Sequence, residues 1–333
     1  MDIELVLGKE CNLNCAYCHN KEMHIDSIDA DNIPISTLDF LKRVPTKLTF
    51  YGGEPLMYWD HIHKILTEYY NPNCHYYLIT NGYYLNKDIA KVLNECNVTV
   101  YISYDCNISY RGYDVIEENK YNIMYLNDMA IMGTTNSQDY FKSLLDKLNR
   151  LEEEYFFSHN KYFNIYIDFI NKFDDTNKNV KYNDIANYDL STLEAEAKYI
   201  CDHYNSYTSY KMFLDSLKEM YDDEIIPSSP SCRYGYNKTV IDLFGNYYAC
   251  LDDDDNNNCN IISNSVDDAL NLLKKKDKYK DRYTTICAEC NVRKICKNGC
   301  SYYTKEDLEQ YYCPPRKAFY APIIEFFKNK LKD

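Results

Sequence analysis

Three cysteines stand directly behind the first strand-like run of the chain, in Cys11-Asn-Leu-Asn-Cys15-Ala-Tyr-Cys18. The spacing C-x3-C-x2-C brings three thiolates together and supplies no local fourth. A [4Fe–4S] cluster has four irons, each wanting an outer ligand. Three cysteines therefore leave one iron open to something that is not protein. A structural zinc site would be closed by four side chains. The cysteines also have to be displayed, and Ile3-Glu-Leu-Val-Leu7 reads as a strand that runs straight into them. In parallel α/β architectures the chemistry sits at the carboxyl ends of the strands.

The chain continues as strand–helix alternation. Strands are predicted at 3–7, 47–51, 76–79, 98–103, 122–126 and 164–169, with helices near 35–43, 59–70, 86–95 and 138–154. Such alternation builds a parallel sheet with crossover helices, and six units would curve into an incomplete barrel. Residues 171–191 are polar and read as a surface loop. Ser191 and Thr192 are placed to cap a helix over about 193–222, with Ala195 at the third position, so no capping box forms. Ile225-Ile-Pro-Ser-Ser-Pro230 breaks that helix. Beyond it, 239–244 and 247–250 around Gly245-Asn246 read as a β-hairpin, and 316–331 as a closing helix.

Composition narrows the function classes. With 37 Lys plus Arg against 51 Asp plus Glu, the formal charge is −14. That argues against a nucleic-acid surface, which needs clustered positive charge. There is no apolar run long enough to span a membrane and no secretory signal pattern, so a cytoplasmic protein is expected. In that setting fifteen cysteines point to metal or cluster ligation rather than disulfides. Ten of the fifteen fall in spaced groups at the two ends. Cys74, Cys96, Cys106, Cys201 and Cys259 are scattered and read mostly as small buried residues.

At the end of the second strand stands Tyr51-Gly52-Gly53-Glu54-Pro55. Only nine glycines occur in the chain, so two together imply close backbone approach. Backbone carbonyls there and the Glu54 carboxylate are acceptors suited to a ligand ammonium group. Cys11–Cys18 followed by Gly52-Gly53-Glu54-Pro55 resembles the radical S-adenosylmethionine (SAM) superfamily, over roughly residues 1–170. The resemblance implies an incomplete (β/α)6 barrel whose open iron chelates the amino and carboxylate groups of SAM. Reductive cleavage then gives methionine and a 5′-deoxyadenosyl radical that abstracts a substrate hydrogen. It further implies Tyr17 against the adenine, and Thr80, Asn81, Ser103 and Asp105 at strand ends near SAM. Arg111 is read either as a partner of the SAM carboxylate or as a surface arginine, since the family's arginine lies farther along. The family also expects glycine where this chain has Cys106. Asp168 is either a pocket group or a plain strand-end carboxylate.

The second cysteine series runs Cys232, twelve residues, Gly245, four residues, Cys250, then Cys287-x2-Cys290-x5-Cys296-x3-Cys300 and, twelve residues on, Cys313. Zinc ribbons and Fe–S clusters both use such spacings. Behind a radical SAM barrel the series resembles the SPASM domain, which implies two auxiliary [4Fe–4S] clusters and three in all. By that resemblance Cys287, Cys290, Cys296 and Cys313 hold the outer cluster, and Cys232, Cys250 and Cys300 the inner one. The inner fourth position is either open or taken by Cys259. The implied division is a partial barrel over 1–190, a helical bridge over 191–230, and a small SPASM domain with hairpin, short helices and closing helix over 231–333.

SPASM relatives act on peptides or proteins, so the resemblance implies a maturase of a ribosomally made peptide that forms a thioether or a carbon–carbon or carbon–oxygen crosslink. Anaerobic sulfatase maturases, the same-class alternative, place a base aspartate directly after the cysteine equivalent to Cys250. Here Leu251 stands there and Asp252 follows, on the other face of extended backbone. Asp252 and Asp168 are the candidate acid–base residues, although Asp252–Asp255 also reads as a solvated acidic loop. Expected partners are a precursor peptide and an external electron donor such as flavodoxin or ferredoxin. With Cys11 so early, leader recognition is expected on the barrel or SPASM surface or on a separate leader-binding protein. The rival of another class is a non-catalytic Fe–S or zinc scaffold.

Overall fold

The computed structural model describes residues 1–18, 20, 23, 25–105, 108–170, 181–222, 238–248, 285–296 and 303–330. Eight strands form one sheet in the order β6-β5-β4-β3-β2-β1-β7-β8. They are β1 (Asp2–Val6), β2 (Lys47–Tyr51), β3 (His75–Thr80), β4 (Thr99–Tyr104), β5 (Met129–Thr135), β6 (Asn164–Phe169), β7 (Lys238–Asp242) and β8 (Tyr247–Tyr248). Neighbours β1–β2, β2–β3, β3–β4 and β1–β7 pair in parallel, and β7–β8 antiparallel. The mixed α/β class and the parallel sheet are as the sequence pattern predicts.

Contacts group the chain into two compact units. One takes the described parts of 1–103, 112–130 and 233–276, the other those of 104–111, 131–232 and 277–333. In the first unit, alternate residues of β2, β3 and β4 (Leu48, Phe50, Tyr76, Leu78, Val100, Ile102) are buried, as period-two geometry requires. Helix α1 (Ile35–Arg43) follows β1 and α2 (Trp59–Glu68) follows β2. Helix α3 (Lys87–Glu95) buries Ile89, Ala90 and Leu93, the i, i+1, i+4 face of an amphipathic helix. Each buried Ile or Leu side chain contributes about 1.5–3 kcal/mol on leaving water, the Ala90 methyl less. The intervening strand residues Thr49, Tyr77, Ile79, Tyr101 and Ser103 are only half-buried.

The predicted strand at 122–126 is instead the end of a helix. After α4 (Ile108–Arg111), Asp114 accepts hydrogen bonds from the amides of Ile116 and Glu117 and starts α5 (Val115–Ile123). The Val100 amide then bonds the Asp128 carbonyl, and β5 begins one residue later. Gly133 lies within it. A Cβ at Gly133 would lie 2.9 Å from both Ile167 and Leu144 side chains.

In the second unit, α6 (Phe141–His159) and α9 (Thr208–Asp222) pack with β6 and the C-terminal helix Cys313–Lys330. Phe141 stacks on Phe319 with ring centroids 3.7 Å apart and meets Phe169 edge-on at 5.0 Å. The single helix predicted over 193–222 is two, α8 (Leu190–Asp202) and α9. Its cap is Asp189, which accepts from the Thr192 amide at 2.7 Å, rather than Ser191 or Thr192. Part of the predicted loop 171–191 is ordered inward. Helix α7 (Tyr182–Ile185) buries both its ends, and the Tyr188 hydroxyl donates to the Thr135 carbonyl at 2.8 Å.

The predicted hairpin forms as β7–β8, turned by Gly245 at φ 85° and clamped by Asp242, which accepts from the Asn246 amide and the Tyr248 hydroxyl. Its first strand also extends the sheet beside β1, a pairing across more than two hundred residues that local patterning does not encode. Among the described residues no helix is long and apolar enough to cross a membrane.

Candidate functional site

The first site is built by backbone. Beyond β1 the chain reaches Gly8, and beyond β2 it reaches Gly52 and Gly53. The Gly53 amide donates to the Gly8 carbonyl at 2.9 Å and the Glu54 amide to the Glu10 carbonyl at 2.8 Å, which continues the β1–β2 pairing into the cysteine loop. A Cβ on Gly53 would lie 2.2 Å from the Glu10 oxygen, and one on Gly52 2.4 Å from the Gly8 oxygen. The close approach inferred for the two glycines is thus to the cysteine loop itself.

Glu54, expected with the backbone carbonyls as an acceptor for a ligand ammonium, is also a structural tie. Its carboxylate is 1% exposed. Oε1 accepts from the Leu56 amide at 2.9 Å and the Thr80 hydroxyl at 2.6 Å, and Oε2 from the Asn81 amide at 2.8 Å. Three of about four lone-pair positions are taken, so Glu54 ties the end of β2 to the end of β3. Pro55 follows as the first residue of a short 3-10 turn, Pro55–Tyr58, that Glu54 caps.

Asn81 reaches the cysteine loop. Its Nδ2 donates to Asn12 Oδ1 at 3.0 Å and approaches Cys11 Sγ at 3.9 Å, while the Leu13 amide donates to the same sulfur at 3.4 Å. The Cys18 amide bonds the Cys15 carbonyl, closing a turn. Cys11 is exposed, and Cys15, Cys18 and Tyr17 are half-buried. Ser103 is half-buried at the end of β4.

Three supporting residues carried no sequence signal. The Tyr58 hydroxyl accepts from the Glu10 amide at 2.9 Å and covers Gly8, and burial pushes its pKa up. Asn20 Nδ2 donates to the Gly52 carbonyl at 2.8 Å. Asn119, at a break inside α5, donates to the Gly82 and Leu85 carbonyls behind β3. The return of the loop is anchored by Met23 and Ile25 packing with Val6 and Val240.

In the second unit, Asp105 and Arg111 form an ion pair at 3.6 Å with side chains 1% and 6% exposed. Arg111 is therefore not a surface arginine, and the carboxylate it meets here is Asp105.

The same unit brings four of the C-terminal cysteines to one pocket. Cys287, Cys290, Cys296 and Cys313 line it together with Ile286, Val292 and Arg316. Turns place the thiols: the Cys290 amide bonds the Cys287 carbonyl, the Arg293 amide the Cys290 carbonyl, and the Cys296 amide the Val292 carbonyl. Tyr303, Leu308 and Tyr312 form the apolar floor against which Cys296 and Cys313 pack. Burial pushes the Cys313 thiol up to about 11, and Lys317 pulls against that shift. Among the described residues no three His, Cys, Asp or Glu side chains converge as a single-ion site needs.

Asp168, an acid–base candidate read as either a pocket group or a strand-end carboxylate, has its Oδ1 bound by Arg316 at 2.9 Å and by the Phe169 amide at 2.7 Å. Asp252, Cys232, Cys250, Cys259, Cys300 and Cys106 lie outside the described residues.

Residues 5–107 match the Radical SAM superfamily. The radical SAM cyclopropyl synthase TigE of Paramaledivibacter caminithermalis is 29% identical over 172 residues, 44% of this chain and 35% of that protein. The chain spans about a third of the length of the curated relatives it matches. The structure of anSMEcpe with bound AdoMet and the Cp18Cys peptide superposes with a TM-score of 0.63 at 19% identity, covering 99% of this chain and all of that one. Streptococcus suis SuiB gives 0.59 at 16% identity, covering 90% of this chain and 72% of its own. These likenesses establish a common fold. The cysteine loop and its Gly-Gly-Glu-Pro clamp both lie within residues 5–107, the stretch that matches the Radical SAM superfamily.

Proposed function

We propose that the chain is a radical SAM/SPASM maturase of a ribosomally made peptide, forming a thioether or a carbon–carbon or carbon–oxygen crosslink. The observation that carries the reading is the suspension of the cysteine loop from the Gly52–Pro55 turn. Two backbone hydrogen bonds and two glycines with no room for a Cβ hold Cys11, Cys15 and Cys18 at the carboxyl ends of β1 and β2. When bound, a four-iron cluster and SAM supply one-electron cleavage of SAM and a radical that takes hydrogen from an unactivated carbon.

The chain's own residues do the holding. Cys11, Cys15 and Cys18 would hold three irons of such a cluster and leave the fourth to SAM. Amide donors from Leu13 and Asn81 face the Cys11 sulfur and stabilise its thiolate. Backbone carbonyls of the Gly52–Gly53 turn and the Glu54 carboxylate would be the acceptors offered to the SAM ammonium. Tyr17, Thr80, Asn81 and Ser103 shape the surroundings of the nucleoside. Cys287, Cys290, Cys296 and Cys313 would hold an auxiliary cluster, which would supply an electron acceptor for an oxidative reaction. Cys232, Cys250 and Cys300 are proposed for a second one, and a flavodoxin or ferredoxin for the external donor.

The test is anaerobic reconstitution followed by incubation with SAM, a reductant and short peptides encoded beside this chain. About twelve irons per chain and a peptide product lighter by two hydrogens, with an internal linkage on fragmentation, are expected. About four irons would remove the auxiliary clusters from the account. The overall likeness to peptide-bound anSMEcpe favours a second reading, a sulfatase-type maturase, which predicts an aldehyde product from a Cys- or Ser-containing sulfatase peptide.

A further inference from the structure

Arg316 lies three residues beyond Cys313 on the C-terminal helix and lines the pocket shared by the four cysteines. It is the largest of the fully buried side chains among the described residues, 2% exposed. Its guanidinium carbon lies 3.6 Å from the centroid of the Tyr312 ring and 4.9 Å from that of Phe169. One nitrogen donates to Asp168 Oδ1 at 2.9 Å, and another to the Tyr312 carbonyl at 3.5 Å. Burying a cation is costly unless anions compensate it. Asp168 compensates only in part, because its own side chain is 59% exposed and water weakens its field. Lys317, the neighbouring cation on the pocket, is exposed and screened in the same way. Arg316 is therefore a fixed positive charge in a low-dielectric wall between aromatic rings, with more charge than its carboxylate offsets.

An iron–sulfur cluster held by four thiolates is net negative and gains one further negative charge on reduction. A buried cation in its wall stabilises the reduced form more than the oxidised one, and fixed charge and burial are among the levers that set cluster potentials. We infer that Arg316 is an electrostatic positioning residue that raises the reduction potential of a cluster held by Cys287, Cys290, Cys296 and Cys313, and that Asp168 sets how much of its charge the cluster feels. The inference rests on reading this pocket as an auxiliary cluster site. It gives Asp168 a role through Arg316 in place of acid–base chemistry, and it makes the cluster a better electron acceptor for an oxidative reaction.

The experiment is an EPR-monitored redox titration of the full chain, reconstituted anaerobically in a Cys11→Ala/Cys15→Ala/Cys18→Ala background that removes the first cluster. The wave lost on adding Cys290→Ala belongs to the pocket. Arg316→Met is expected to lower that midpoint, so that at the wild-type midpoint the reduced-to-oxidised ratio falls about tenfold or more, a shift of about 59 mV for one electron. Arg316→Lys should recover most of it. Asp168→Asn, on a half-exposed side chain, should move the midpoint the opposite way. An Arg316→Met protein with full iron content and an unmoved midpoint overturns the inference while leaving the cluster assignment intact. Should that variant not fold, a midpoint that fails to rise in Asp168→Asn overturns it equally. A wild-type protein with no wave sensitive to Cys290→Ala overturns the cluster assignment, and the inference with it.

Discussion

Replacing Gly53 with alanine would put a methyl group 2.2 Å from the Glu10 carbonyl oxygen and 2.4 Å from that of Lys9. Both contacts are to backbone, so no side chain can swing away. The cysteine loop must move off β2, which breaks the Gly53–Gly8 and Glu54–Glu10 hydrogen bonds. Two such bonds are worth about 1 kcal/mol each, and forced overpacking costs about 1–3 kcal/mol, giving about 3–5 kcal/mol of local destabilisation. Gly112 supplies the control. Its φ of 83° disfavours alanine, but nothing lies within 4 Å of a Cβ there, so Gly112→Ala costs only the backbone term of about 1–2 kcal/mol. Hydrogen exchange on cluster-free reduced protein reads the difference directly. The amides of residues 8–18 and 53–54 should exchange more than a hundredfold faster in Gly53→Ala, since 1.4 kcal/mol is tenfold, and iron uptake at the N-terminal cysteines should fall. Exchange in Gly53→Ala no faster than in Gly112→Ala, with iron uptake unchanged, would refute the clamp.

Two further outcomes follow from buried carboxyl groups. Glu54→Gln replaces one acceptor oxygen with an NH2 that faces a donor, and should destabilise the first unit by about 1.5–3 kcal/mol; urea unfolding as resistant as the wild type would show the carboxylate is dispensable. Glu152, buried on α6, has its pKa pushed up to about 9 by burial, with the Phe163 amide opposing. A raised carboxyl pKa means the folded state binds the extra proton, so stability falls as pH climbs from the ordinary carboxyl range toward that value. Glu152→Gln should therefore stabilise by an amount that grows with pH, to about 3 kcal/mol near neutrality, and melting at pH 5 and pH 8 checks it; a pH-independent difference would contradict the assignment.

The reach of the sequence follows the range of the interactions. Elements set by local patterning were legible: β2 and β6 begin and end where the apolar runs do, and α1 matches its span. The cysteine loop, the Gly-Gly turn and the four cysteines around the C-terminal pocket were legible because few other chemistries need those residues at those spacings. What was missed depends on distant partners. Nothing in the sequence announces that Glu54 also accepts from Thr80 and Asn81 across β2 and β3. The strand misplaced at 122–126 was decided by the Asp114 cap and the tolerance of β5 for Gly133 beside Ile167. The pairing of β7 with β1 and the meeting of Asp168 with Arg316 join residues 148 or more positions apart, and no local periodicity records such contacts.

The central claim is that Cys11, Cys15 and Cys18, hung from the Gly52–Pro55 turn, hold the cluster that opens SAM. Its most direct test is 5′-deoxyadenosine formation by the anaerobically reconstituted chain with SAM and dithionite, beside a Cys15→Ala variant that keeps the C-terminal cysteines. The account predicts 5′-deoxyadenosine from the wild-type chain and none from the variant, whose remaining iron is retained. Equal production by Cys15→Ala, or none by a fully loaded wild-type chain, would contradict it.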